Sequence, residues 1–99
     1  MAENIYKKSR TMTVRTSKRF HEIITEDARR VAAEWCEISV EDAKAMLALT
    51  IEAMRNGESL PEPAEFAKAQ LRNHMTSKEV EIAWPEMVRK IGCQLSITH

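Results

Sequence analysis

The pair of signals that most constrains this chain is Ser39 at one end of a stretch and Asn56-Gly57 at the other. Ser39-Val40-Glu41-Asp42 is close to a capping box, with Asp42 where Glu is usual. The Ser39 hydroxyl can accept a hydrogen bond from an otherwise unpaired amide of a first helical turn. Val40, Ala43, Met46, Leu47, Thr50, Ile51 and Met54 follow at helical spacing and make a wide apolar stripe. Asn56-Gly57 then ends the helix as a left-handed cap.

A second amphipathic pattern precedes it. Phe20, Ile24, Ala28, Val31 and Trp35 recur every three or four residues, and Ile23 widens the stripe. Ser17 is a fitting N-cap for a helix starting at Lys18, while Thr25-Glu26-Asp27 offers a competing start that would leave 18–24 to strand or loop. The Phe20–Ile24 pairing favours the earlier start, and Cys36-Glu37-Ile38 forms the corner between the two helices. Upstream, the periodicity changes to two. Met12, Val14 and Thr16 fall on one side of an extended backbone and Thr11, Thr13 and Arg15 on the other, which predicts a short strand over 11–16. Residues 1–10 carry no periodicity and read as a flexible basic arm.

After Gly57 the prolines at 61 and 63 mark a connector. A third helix is expected from about Pro63 to Asn73, with Phe66, Ala67, Ala69, Gln70 and Leu71. Thr76 and Glu79 form a capping box for a short helix through Ile82, and Pro85 restarts it as a first-turn proline. Met87, Val88 and Ile91 continue the apolar face until Gly92 stops it. Cys93, Leu95 and Ile97 then alternate, as a terminal strand or a fraying end would. Ninety-nine residues arranged this way make one compact unit, with residues 58–99 as a C-terminal helical extension.

Charge is distributed unevenly behind a formal net of zero. Residues 1–20 hold six basic side chains (Lys7, Lys8, Arg10, Arg15, Lys18, Arg19) and one acid, a net +5, so residues 21–99 carry −5. A basic segment on an acidic body is a pattern met in nucleic-acid binding. Hydrophobic content of 43% with 30% charged residues argues against disorder. No apolar run approaches the roughly 18 residues of a membrane span, and no apolar export signal begins the chain, so a cytoplasmic protein with reduced Cys36 and Cys93 is expected.

Nothing asks for catalysis, metal or cofactor. His21, His74 and His99 are scattered, and no Cys/His spacing resembles a zinc site. The only glycines sit at expected helix ends, so no phosphate loop can form. His21 with Glu22 or Glu26 lies on a charged helix face, as solvated residues do. Met46 and Met54 lie on an apolar stripe and read as core rather than as an adaptable binding surface, and Trp35 and Trp84 read as core or dimer-interface anchors rather than base-stacking platforms.

Strand, helix, capped corner and helix is the order of the ribbon-helix-helix DNA-binding proteins, and residues 11–57 resemble that family. Thr11-Met12-Thr13-Val14-Arg15-Thr16 corresponds to the ribbon, Lys18–Trp35 to the first helix and Ser39–Arg55 to the second. The resemblance implies a homodimer whose paired strands enter the major groove of double-stranded DNA. Thr11, Thr13 and Arg15 would then face base edges, with Arg15 reading guanine. Met12, Val14 and Thr16 would enter the shared core, and Ser39 with the amides of Val40 and Glu41 would clamp a phosphate. Lys7, Lys8, Arg10, Lys18 and Arg19 would add salt-sensitive phosphate attraction. The fold so implied is mainly α: a short N-terminal strand and four helices, as a ribbon-helix-helix-like dimer with residues 58–99 available to a protein partner. The function implied is a non-enzymatic, sequence-specific regulator, either a repressor or a relaxosome-type accessory protein. The chain departs from the family in a strand-to-second-helix interval about one turn longer, in the absence of a corner glycine, and in the acids Glu41 and Asp42. The alternative is a small helical inhibitor or adaptor of phage or plasmid type. It would bind protein through the basic arm and apolar helix faces.

Overall fold

The computed structural model describes the backbone of residues 2–98 and the side chains of residues 19–97. Its architecture is mainly α. The helices are α1 (Ala2–Trp35), α2 (Val40–Asn56), α3 (Glu62–Gln70) and α4 (Ser77–Thr98), with a 3₁₀ turn over Leu71–Asn73.

The α1 segment contains neither proline nor glycine, so nothing in it interrupts the hydrogen-bond ladder. Both candidate starts, Ser17 and Thr25, lie inside the helix. The Thr25 hydroxyl donates to the His21 carbonyl one turn back (2.7 Å) instead of capping. The strand expected over 11–16 is not supported, since those residues fall within α1 and no strand occurs among the described residues. The physical reason is backbone satisfaction. A lone strand must find its partners on another strand, whereas a helix pairs its amides and carbonyls within itself. The flexible arm assigned to residues 1–10 lies outside the described side chains.

The α2 helix follows its local signals. Ser39 Oγ accepts from the Asp42 amide (2.9 Å), and Gly57 closes the helix at φ 69°, the left-handed conformation that residues with a Cβ rarely adopt. Pro61 and Pro63 lead into α3, whose Ala64 and Ala67 are buried. Thr76 and Glu79 form the capping box reciprocally. The Thr76 amide donates to Glu79 Oε1 (2.9 Å), and the Glu79 amide to Thr76 Oγ1 (3.3 Å).

Three expectations for α4 are corrected. It is one helix through Pro85, it passes Gly92 without stopping, and its tail is helical. Pro85 removes the bond to the Glu81 carbonyl, but both residues lie exposed on the outer face. The apolar stripe on either side of Pro85 is buried without a break: Val80, Ala83, Trp84, Met87, Val88, Ile91 and Leu95. Leu95 is fully buried, whereas Cys93 and Ile97 are exposed, as helical rather than alternating geometry requires.

Packing is dominated by the seam between α1 and α4, the most extensive contact between elements. Ile24, Ala28, Val31 and Ala32 from α1 join the α4 stripe in one core, which Leu71, Ala64, Ala67 and Ala43 complete. Phe20 and Ile23 share a surface hollow with Met75 and Glu79, so α4 begins beside the middle of α1. The approach of Gly92 to Leu47 of α2 shows that it then runs toward the Trp35 end, in the same direction as α1. The α2 helix runs against both. Its Leu47 meets Gly92, where an added Cβ would lie 3.3 Å from Leu47 Cδ2. Trp84 and Met87 are core residues, as the apolar stripe implied for Trp84, while Trp35, Leu47 and Met54 pack at the core edge.

Gly92 therefore acts as a spacing residue rather than a helix end. Gly92→Ala should change stability by less than about 1 kcal/mol, because the helix preference for alanine offsets a small shift of Leu47. Gly92→Ile should destabilise by roughly 1–3 kcal/mol through overpacking against α2. Chemical denaturation of the two variants checks the contrast.

Candidate binding surfaces

Arg19 and Ser39 are the sequence-derived contact residues whose side chains are described. Lys7, Lys8, Arg10, Thr11, Thr13, Arg15 and Lys18 lie outside the described side chains. Arg19 is exposed at the end of the body where α4 begins. Ser39 stands beyond the far end of α1. A rise of about 1.5 Å per residue separates Arg19 from Trp35 by roughly 24 Å along the helix axis. The structure therefore does not bring Arg19 and Ser39 into one patch. Ser39 Oγ is engaged by the Asp42 amide, and Glu41 and Asp42 occupy the first turn of α2. Those carboxylates already complement the positive end of the helix.

Arg19 has a neighbour that linear reading missed. Together with Phe20, Ile23, His74, Met75 and Glu79 it lines a hollow of about 220 Å³. The floor combines an aromatic ring, an isoleucine and a methionine, and the rim carries the guanidinium and an imidazole. Glu79 is also there, engaged by Thr76: the Thr76 amide first, and the Thr76 side chain after it, hold the carboxyl below its ordinary pKa. No spacing rule joins residue 19 to residue 74. The parallel course of α1 and α4 does so, by carrying the loop before α4 to the side of Phe20.

A second hollow, of about 330 Å³, lies between the C-terminal half of α2 and the proline connector. Leu49, Ala53, Leu60 and Pro61 supply its apolar lining, and Glu52, Glu58 and Ser59 the polar part. The left-handed turn at Gly57 creates it by folding the connector back, so that the Glu58 amide donates to the Ala53 carbonyl (2.9 Å).

Asp27 Oδ2, Gln70 Oε1 and Trp84 Nε1 are buried without a hydrogen-bond partner among the described residues, although Asp27 Oδ1 accepts from Arg30 (3.2 Å). Among the described residues no cluster of His, Cys, Asp and Glu is placed to hold a metal ion, and no helix is long and apolar enough to cross a membrane. Cys36 and Cys93 are free thiols. No protein-family model, curated protein or solved structure matches this chain.

The Glu79 cap makes one contribution to stability depend on pH. Its carboxyl titrates below the ordinary value in the folded chain, so the contribution is complete above the unfolded value of about 4.3 and fades as acid protonates the group. Thermal melts of wild type and Glu79→Gln should show a wild-type advantage at pH 7 that narrows steadily below about pH 4.3. An advantage unchanged down to pH 3 would contradict the assignment.

Proposed function

We propose that this protein is a non-catalytic, cytoplasmic DNA-binding regulator that holds the phosphate backbone with its basic segment, residues 7–19. The observation that carries the reading is the placement of Arg19 beside His74. The last cation of the basic segment lies on the helical body, in a hollow it shares with the His74 imidazole and the Glu79 carboxylate. Arg72 and Lys78, both exposed, flank that loop in sequence and add two cations beside it.

The reading does not depend on a ribbon. With 11–16 inside α1, Arg15, Thr11 and Thr13 enter chiefly through the charge and hydrogen-bonding capacity of a basic segment. Base reading by a paired ribbon would require strands from two chains, in a homodimer of ribbon-helix-helix type. Ser39 is left out of the contact set, because its hydroxyl caps α2 beside two carboxylates. Lys7, Lys8, Arg10, Arg15, Lys18 and Arg19 would each displace condensed counterions from DNA, which makes the affinity steeply salt-dependent.

A second reading, a helical protein-binding adaptor or inhibitor, is favoured by a different observation. Leu49, Phe66 and Ile82 are large apolar side chains standing 55%, 62% and 70% exposed. Under it the basic segment docks on an acidic protein, and these faces supply the apolar contact.

Fluorescence anisotropy with a random-sequence DNA duplex separates the two. The DNA reading predicts binding at about 50 mM salt that weakens by roughly 10³-fold at about 200 mM, as six phosphate contacts imply. Arg19→Ala with His74→Ala should weaken binding to about the same extent on every duplex sequence and lower the salt slope by about 1. Absence of salt-dependent binding at about 50 mM would exclude the reading.

A further inference from the structure

We propose that the hollow between α2 and the proline connector receives the basic segment of a second copy of this chain. The pair would then exchange their N-terminal segments reciprocally. The hollow is built for an amphipathic cation. Leu49, Ala53, Leu60 and Pro61 offer an apolar bed for a lysine or arginine stem, and Glu52 and Glu58 stand where the charged head would emerge. Among the described residues, neither Glu52 nor Glu58 takes part in an ion pair, whereas Lys68 is already paired with Glu81 at 3.1 Å. Leu49 stands more than half exposed at its edge.

Charge names the occupant. The chain's cation surplus is concentrated in residues 1–20, at net +5, against −5 in residues 21–99. Two copies with zero net charge meet no overall repulsion, so opposite patches decide how they pair. Position agrees with charge. The α2 helix runs against α1, so its C-terminal half and the connector lie at the same end of the body as Arg19. A two-fold axis near that end brings each segment to the other copy's hollow, and the contact closes on itself. The same segment cannot then lie on DNA, so self-association and DNA binding compete.

Sedimentation velocity on the full chain without DNA tests this, at about 0.1 M and about 1 M salt, where the screening length falls from about 10 Å to about 3 Å. The expected result is a species of twice the chain mass at low salt and a single chain mass at high salt. Glu52→Lys with Glu58→Lys should be monomeric at both, with an unchanged circular dichroism spectrum since both positions are exposed. Adding Lys7→Glu, Lys8→Glu and Arg10→Glu to that variant should restore the dimer. A monomer under every condition overturns the proposal, whether the hollow then takes the chain's own segment, another protein or nothing. A dimer indifferent to the Glu52 and Glu58 changes overturns it too. Because no DNA is present, failure here is distinct from failure of the DNA-binding reading.

Discussion

The contact on which the rest of the molecule depends is the parallel seam between α1 and α4. Ile24, Ala28 and Val31 on one side and Val80, Met87, Ile91 and Leu95 on the other are almost wholly removed from water. Each such Val, Ile, Leu or Met side chain contributes about 1.5–3 kcal/mol relative to an exposed one. Small residues in the same core, Ala28, Ala32 and Ala83, let the helices approach closely. In a chain of this size that seam is the largest single source of stability, and it explains why α4 stays helical through a proline and past a glycine. Ending the helix at either position would forfeit the burial of everything beyond it.

The seam also arranges the surface. By running α1 and α4 in the same direction, it places the entrance of α4 beside Phe20 and so brings His74 to Arg19. The α2 helix attaches less extensively, over Gly92 and along part of α4. Its buried positions are small: Ala43, Thr50 and Ala53, with the Thr50 hydroxyl donating to the Met46 carbonyl (2.8 Å). Leu49 and Ile51 are left on the outside, and the connector folds back against the end of the helix. The two hollows thus share a cause: helices of unequal burial meeting at one end of a thin core. One is lined by Arg19 and His74 together with the Glu79 carboxylate, and the other by Glu52 and Glu58.

Features governed by a few neighbouring residues were legible before the fold was known. Ser39, Gly57 and the Thr76–Glu79 box act within one helical turn, and each has the cap its residue type implies. The apolar stripe of α1 was equally readable, since Ile24, Ala28 and Val31 follow the helical period. Illegible were features that depend on what lies opposite. Thr and Val between residues 11 and 16 favour an extended backbone only when another strand is there to pair with it. Gly92 resembles a helix end in isolation, and its role as a spacer appears only once Leu47 faces it. Pro85 reads as a restart until the buried stripe on both sides is seen to be continuous. Of the contact residues, Arg19 was named from charge alone. Its neighbour His74 carries no linear signal, and the structure brings no other described candidate to it.

Backbone hydrogen exchange on the intact chain, resolved by residue, tests the primacy of the α1–α4 seam most directly. Amides near 24–32 and 83–95 should exchange only through global unfolding, because opening either helix exposes the shared core. Those of 43–54 should open earlier, at a lower free energy. An α2 protected as strongly as α4, or an α1 that exchanges freely at Ile24 and Ala28 while α4 remains protected, would contradict the account.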